Sequence, residues 1–457
     1  MQEWREMSPG KINDDLLKFP LQTPRWFWVA LSCLGLLLGA GFLSFAVMIA
    51  GGLQFLGYNE QTQWAVLITN FVFWIGISHA GVMISAILRL TQAEWRRPVT
   101  RASEILTVFS LMTAMLMPIL HSGRPWRTLY WEFPFDFSRG IYPDVRSALV
   151  WDPSAIFTYL LSSIMFVYVA LIPDLAVARD RSSGTMHYVY AATAMGFQGT
   201  SRQWRLQAIA GILLSALILP VFVSVHSIVS WDFAVALVPG WHSTVFPPYF
   251  VIGAVHSGVS AVATLMAILR WVFHLEDYLT DDHFDALGRL LVVVSTTWLF
   301  FFGMDFYYGI FARDELEMAV WHLRIFEPPY NVLFPLFLLL GYIIPVPAWL
   351  FRNVRRSVKA MFWTSLCVNV GMWMERYILI VPPLSHKQAF PFNWVTVYEP
   401  QPVEWLLVAF TFGVVSTGIL VFAKLFPIIP IFDIKEGQTL RRVIQVGRRT
   451  VPGVVRE

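Results

Sequence analysis

His121 and Asp152 bracket a segment, Met117 to Pro153, that places one His, four Arg and four acidic residues between two apolar runs. An imidazole titrates near neutral pH and takes a proton from a hydroxyl within hydrogen-bond reach. A carboxylate beside it accepts a second proton or orients and charges the ring. The pair therefore suits proton abstraction from a bound substrate. Each residue also has a plain structural reading. Asp152 before Pro153 is a good helix N-cap with proline at the first helical position, and His121 near a helix carboxyl end can simply face the helix dipole.

The elements that must position these groups are hydrophobic. Of 457 residues, 56% are hydrophobic and 14% charged, against ~25% charged in an ordinary soluble domain. This composition marks a polytopic membrane protein. With ~20 apolar residues needed per crossing, ten helices are expected, at about 27–53, 64–88, 103–120, 154–178, 206–229, 247–272, 287–311, 330–351, 359–381 and 403–426. The first 26 residues mix Arg5, Lys11, Lys18 and Arg25 with acids and lack an apolar core, so a cleaved signal peptide is not expected. Residues 1–26 and 427–457 are read as segments outside the membrane, the second of them basic.

With ten spans, both termini lie on one side, and that side holds 25 of the 33 Lys and Arg residues. The positive-inside rule then puts both termini in the cytoplasm and Met117 to Pro153 outside, which in a bacterial inner membrane is the periplasm. The net charge of +3 is spread over short loops, which argues topology and against nucleic acid. The only cysteines, Cys33 and Cys367, lie inside apolar runs, so this chain alone is not expected to bind an iron-sulfur cluster.

An internal repeat is visible. His79-Ala80-Gly81-Val82 through Ile87-Leu88-Arg89 ends the second span, and His256-Ser257-Gly258-Val259 through Ile268-Leu269-Arg270 ends the sixth. Spans four and eight each open after an acid and a proline, Asp152-Pro153 and Glu327-Pro328. The expected architecture is all-α, with two related four-helix bundles, spans 2–5 (about 64–229) and 6–9 (about 247–381), and two flanking helices. Titratable groups within spans are functional candidates. His79 and Asp174 are placed towards the cytoplasm, His256 near mid-depth, and His226, Asp305, Glu375 and Arg376 in the outer half. Together they could form a proton route. The plain alternatives are a packing hydrogen bond for His79, solvation for Asp174, and partners on other helices for Glu375 and Arg376. Paired histidines could bind haem b, but His79 and His256 are expected at different depths.

The motifs His79-Ala80-Gly81, His121-Ser122-Gly123-Arg124-Pro125-Trp126, Trp151-Asp152-Pro153, Ile172-Pro173-Asp174, Ser230-Trp231-Asp232-Phe233, Pro239-Gly240-Trp241-His242 and Met374-Glu375-Arg376-Tyr377 occur in order over about residues 60–385. They resemble the polysulfide-reductase membrane-subunit (NrfD-like) family, and within it the branch that forms the quinol-oxidising subunit of bacterial alternative complex III. The resemblance implies a haem-free subunit that oxidises menaquinol near the periplasmic face. Its electrons would go to a periplasmic iron-sulfur subunit and a multihaem c-type cytochrome, in a complex with a second related membrane subunit and smaller membrane subunits. It carries the quinol-site roles onto His121 and Asp152 and the half-channel roles onto His79, Asp174, His226, His256, Glu375 and Arg376. Trp126, Tyr130 and Trp151 are expected as walls for the quinone ring, and Arg124 as a residue that holds the loop or a partner. The competing classes are a transporter-like or proton-translocating module, with Asp305 on its route, and an assembly scaffold without a quinone site.

Overall fold

The computed structural model describes residues 7–59, 62–123, 125–126, 148–385, 398–446 and 449–454. Arg124 and Tyr130 lie outside the described residues. The helices, in chain order, are α1 (Pro9–Leu21), α2 (Arg25–Gly51), α3 (Ala65–Leu90), α4 (Glu94–His121), α5 (Ala148–Arg181), α6 (Gly184–Thr193), α7 (Ser201–Ala234) and α8 (Phe246–Phe273). They continue as α9 (Asp281–Phe311), α10 (Glu315–Phe326), α11 (Tyr330–Leu350), α12 (Val358–Ser385), α13 (Pro402–Leu425) and α14 (Ile431–Leu440). A short antiparallel ladder pairs Arg441–Val446 with Arg449–Val454.

Among the described residues, nine helices are long and apolar enough to cross a membrane. The ninth expected span is also a helix, the 28-residue α12, but it is not one of the nine. Asn369, Glu375 and Arg376 lower its hydropathy, and it packs against α3, α8 and α11. The chain is thus an all-helical, multi-pass integral membrane protein. The residues before the first span are not a bare tail: α1 is capped by Ser8, whose Oγ accepts from Lys11 N at 3.3 Å, and it buries Ile12, Leu16 and Leu17. Its carboxyl end is held by Lys424 of α13, whose Nζ donates to Phe19 O at 2.9 Å and Pro20 O at 2.8 Å. Lys or Arg at such an end satisfies carbonyls that have no helical partner.

The two repeat helices, α3 and α8, pack directly on each other through the repeated residues. A Cβ added at Gly258 would lie 2.9 Å from Ala80 N, and one at Gly76 would lie 3.2 Å from Ser257 Oγ. Small residues let the backbones approach where lipid supplies no hydrophobic drive for helices to associate. The flanking helices α2 and α13 meet in the same way, with Gly41 beneath the Phe410 ring.

The copies differ just after the histidine. In α3 the backbone makes a π turn at Val82–Ile87, whereas α8 runs unbroken to Phe273. At the turn, Val82 N bonds to His79 O, and Ser78 O accepts from other donors. Thr107 of α4 donates to it at 2.6 Å and Tyr159 of α5 at 3.1 Å. The Thr107 hydroxyl in turn accepts from Gly81 N at 2.8 Å. Such π turns appear mostly as single insertions and often at functional sites.

Candidate functional site at the end opposite α1

His121 is the last residue of α4 and is buried. Its ring lies 4.9 Å from that of Trp64 and 6.4 Å from that of Phe71. Among the described residues, no hydrogen-bond partner meets its Nδ1. Trp64, which precedes α3, sits in the left-handed region at φ 63°, a genuine outlier for a bulky side chain. Gly123, two residues past His121, also has positive φ, and a Cβ there would lie 2.1 Å from Leu53 Cδ2. The positive φ therefore favours glycine at this place in the His-Ser-Gly motif.

Asp152 is not an N-cap. The described part of α5 already begins at Ala148, so Asp152 and Pro153 lie within the helix and the carboxylate is turned into the bundle. Its counterpart also departs from the capping reading: Glu327 uses its backbone carbonyl to receive Asn331 N at 2.9 Å, while its carboxylate meets His322 at 3.2 Å.

The partner of Asp152 is Asp232. Their carboxyl groups lie within hydrogen-bonding reach of each other, and the neighbouring indoles of Trp151 and Trp231 stand edge to face at 6.0 Å. Two Trp-Asp dipeptides, one near the start of α5 and one near the end of α7, thus meet side by side. A hydrogen bond between two carboxyls needs a proton held between them. Asp232 acquires no role in the sequence reading because the fifth span is expected to end at about 229, and α7 runs one turn further, to Ala234. The repeated Trp-Asp dipeptide is the signal that could have found it. Among the described residues no hydrogen bond or ion pair joins His121 to Asp152. Of the expected ring walls, Trp126 is 58% exposed and Trp151 is engaged by Trp231.

The intramembrane groups fall into two clusters. In the first, the His79 ring meets that of His226 at 4.5 Å, against the expectation that the two sit at different depths. His79 is near the middle of the 26-residue α3, not at its carboxyl end. Its Nδ1 faces Ile75 O at 2.8 Å and its Nε2 faces Phe222 O at 3.2 Å. Nearby, His256 Nε2 is 2.8 Å from Ser295 Oγ. Glu375 and Arg376, expected to find partners on other helices, also pair with each other. Arg376 Nε reaches Glu375 Oε2 at 3.3 Å, and Glu375 accepts from Tyr249 of α8 as well. The Arg376 guanidinium lies 4.7 Å over the Phe250 ring, a favourable cation–π position.

The second cluster is at the α1 end. Asp174 is fully buried rather than solvated. It pairs with Arg101 at 2.9 Å and accepts from the backbone nitrogens of Ile431 and Phe432 at 3.1 and 2.9 Å, so it caps α14. Asp433 of α14 meets Arg96 at 3.4 Å. Burial pushes the Asp433 carboxyl up, but the guanidiniums of Arg96, Arg89, Arg97 and Arg101 outweigh this and hold it below the usual carboxylate range. Asp305, near the far end of α9, lies within electrostatic range of Glu375 of the first cluster and of the buried Arg324. It lines a separate cavity of about 600 Å³ with Trp231, His242 and Glu317. No group of three or more metal-ligating side chains occurs among the described residues.

The family model described as "Polysulphide reductase, NrfD" matches residues 54–385, the stretch that contains α3 to α12, both repeat copies and every candidate group above. The chain belongs to the NrfD family of membrane subunits of oxidoreductase complexes. It is also 25% identical over 419 residues to a putative dimethyl sulfoxide reductase membrane subunit of Halobacterium salinarum, an alignment covering 86% of this chain and 88% of that protein.

Proposed function

We propose that this chain is the quinol-oxidising subunit of its complex, acting on menaquinol at the end opposite α1, with that end facing the periplasm and both termini in the cytoplasm of a bacterial inner membrane. The observation that carries the reading is the shared end of His121, Asp152 and Asp232: a buried imidazole with an unpartnered Nδ1 and a carboxyl pair of which Asp152 is buried and Asp232 partly so, at matching helix ends.

Oxidising a quinol releases two protons and two electrons. His121 takes the proton of one hydroxyl at its free nitrogen, held in place by Trp64. The Asp152–Asp232 pair holds one proton and has oxygens left to receive another, since Oδ1 of each lacks a hydrogen-bond partner among the described residues. The electrons leave to a partner protein, because no side chain of this site is a redox centre. The partner chemistry is iron-sulfur clusters followed by c-type haems, as in alternative complex III. Proton translocation through His79, His226, His256 and the Glu375–Arg376 pair is the further role we assign to the central cluster. The relative named for dimethyl sulfoxide reductase favours a second acceptor for the same electrons, a sulfoxide reductase, with the quinol chemistry unchanged.

In the intact complex, His121→Ala, Asp152→Asn and Asp232→Asn should each lower menaquinol oxidation by about 10² to 10⁴, the range expected for a lost proton acceptor. Assembly should persist, as judged by co-purification of the partners. Full menaquinol oxidation in all three variants would sink the proposal. It would leave the transporter-like or scaffold reading, which quinone co-purification and its displacement by a quinone-site inhibitor test directly.

A further inference from the structure

A cavity of about 910 Å³ opens at the α1 end where α3, α4, α5 and α7 meet α14. Five guanidiniums line it. Three are engaged: Arg96 by Asp433 at 3.4 Å, Arg97 by Glu436 at 2.5 Å and by Glu94, and Arg101 by Asp174 at 2.9 Å. The other two, Arg89 and Arg205, make no side-chain hydrogen bond or ion pair among the described residues. Glu104 and Asp433 lie within electrostatic range of Arg89, but Glu104 is bound by Ser85 and Asp433 by Arg96.

The setting of Arg89 is built. Its guanidinium lies 5.7 Å over the Phe166 ring, and its Nε is shielded from solvent without a partner. It rests against α7 at Gly211, where a Cβ would come within 2.7 Å of Nη1. A guanidinium that makes no direct ion pair and keeps its Nε unpartnered has hydrogen-bonding capacity to spare, and it fits a site whose ligand brings phosphate oxygens. One wall of the cavity is polar, and the other runs onto the outward face of α7, where Leu206, Ile209, Ile212 and Leu213 are exposed. In a multi-pass membrane protein that face is the lipid side. Trp204, stacked on Phe432 at 4.1 Å, closes the cavity towards α14.

We propose that this cavity binds the phosphate headgroup of an anionic phospholipid, gripped by Arg89 and Arg205, with the acyl chains lying along the exposed face of α7. The planar guanidinium fork matches phosphate oxygens two at a time. Basic pockets between membrane helices are suited to such headgroups.

The test uses the full chain in nanodiscs of phosphatidylcholine containing a minor fraction of phosphatidylglycerol, with retained lipid measured by native mass spectrometry. The wild type should retain phosphatidylglycerol in preference to phosphatidylcholine. Retention should fall about fivefold for each guanidinium removed in Arg89→Gln and Arg205→Gln, the loss expected for one cation at an anionic bilayer surface. Arg89→Lys should keep most of it. Inorganic phosphate at millimolar concentration should not displace the lipid. Because Arg205 is exposed, Arg205→Gln leaves the fold intact, and unchanged retention in that variant alone would overturn the two-armed grip. Displacement by inorganic phosphate would overturn the lipid in favour of a soluble phosphate ligand.

Discussion

The two repeat copies use one helical plan and opposite polar logic. At the α1 end of the first, Arg101 of α4 supplies the cation and Asp174 of α5 the anion. At the same end of the second, the signs are exchanged: Asp285 of α9 meets Arg355 just after α11 at 2.7 Å, with Arg289 as an additional partner. The first pair is sealed; in the second, Asp285 and Arg355 are 7% and 13% exposed, and the additional partner Arg289 is 65% exposed. The histidines differ in the same sense. His79 is enclosed by carbonyls and His226 beside a π turn, whereas His256 stands on an unbroken helix with one hydroxyl partner. The two copies of the motif thus share a helical setting and differ in their polar partners, with the proposed quinol chemistry confined to the first.

The largest effect should come from breaking the sealed pair. Asp174→Ala leaves Arg101 buried without its carboxylate and uncaps α14, at about 3–5 kcal/mol. Asp285→Ala should cost less, because it uncaps no helix and leaves Arg355 on the carbonyls of Trp349 and Leu350 and Arg289 largely in solvent. Thermal unfolding in detergent measures both, and equal losses would erase the asymmetry between the copies.

An intermediate effect is expected where the copies touch. Gly258→Ala pushes a Cβ into the Ala80 backbone and should cost about 1–3 kcal/mol by overpacking. Gly303→Ala, in open space on α9, should be close to neutral. The same unfolding assay reads the contrast, and a neutral Gly258→Ala would mean that the helices separate without penalty.

The smallest effect is one of pH. Asp433 is more acidic in the folded chain than free, so the stability it contributes is fully present above the ordinary carboxylate pKa of ~3.9. It is lost as pH falls through the lower folded value. Protease cleavage between α13 and α14 should therefore stay constant from neutral pH down to about that ordinary value, then rise. Asp433→Asn should remove the acid-dependent rise, and a rise that persists in this variant would assign it to another group.

The helices, the repeat and the two flanking spans are legible in the sequence because apolar length and small-residue spacing act locally. Span ends are less so. The fifth span continues through Asp232, and the fourth is already helical before Asp152, because neither boundary is marked by a glycine or an unambiguous cap. Depth is the weakest inference. Counting along separate spans puts His79 and His226 apart, since nothing local reports the stagger between two helices. Asp174 reads as solvated because sequence cannot show α14 folding back over it. Trp64 escapes notice because its significance is a backbone conformation.

The grip of Lys424 on α1 has a consequence for how the chain is made. The residue that closes the carboxyl end of the first helix lies 405 positions after Phe19, on the last span to emerge during synthesis. Until then Phe19 and Pro20 keep open carbonyls and α1 is held by earlier contacts such as Tyr278 on Asp15 and Phe273 on Phe19, so chains stalled or truncated ahead of α13 should expose the end of their amino-terminal helix more readily to proteases. The finished protein would be told from its unfinished copies by that one latch.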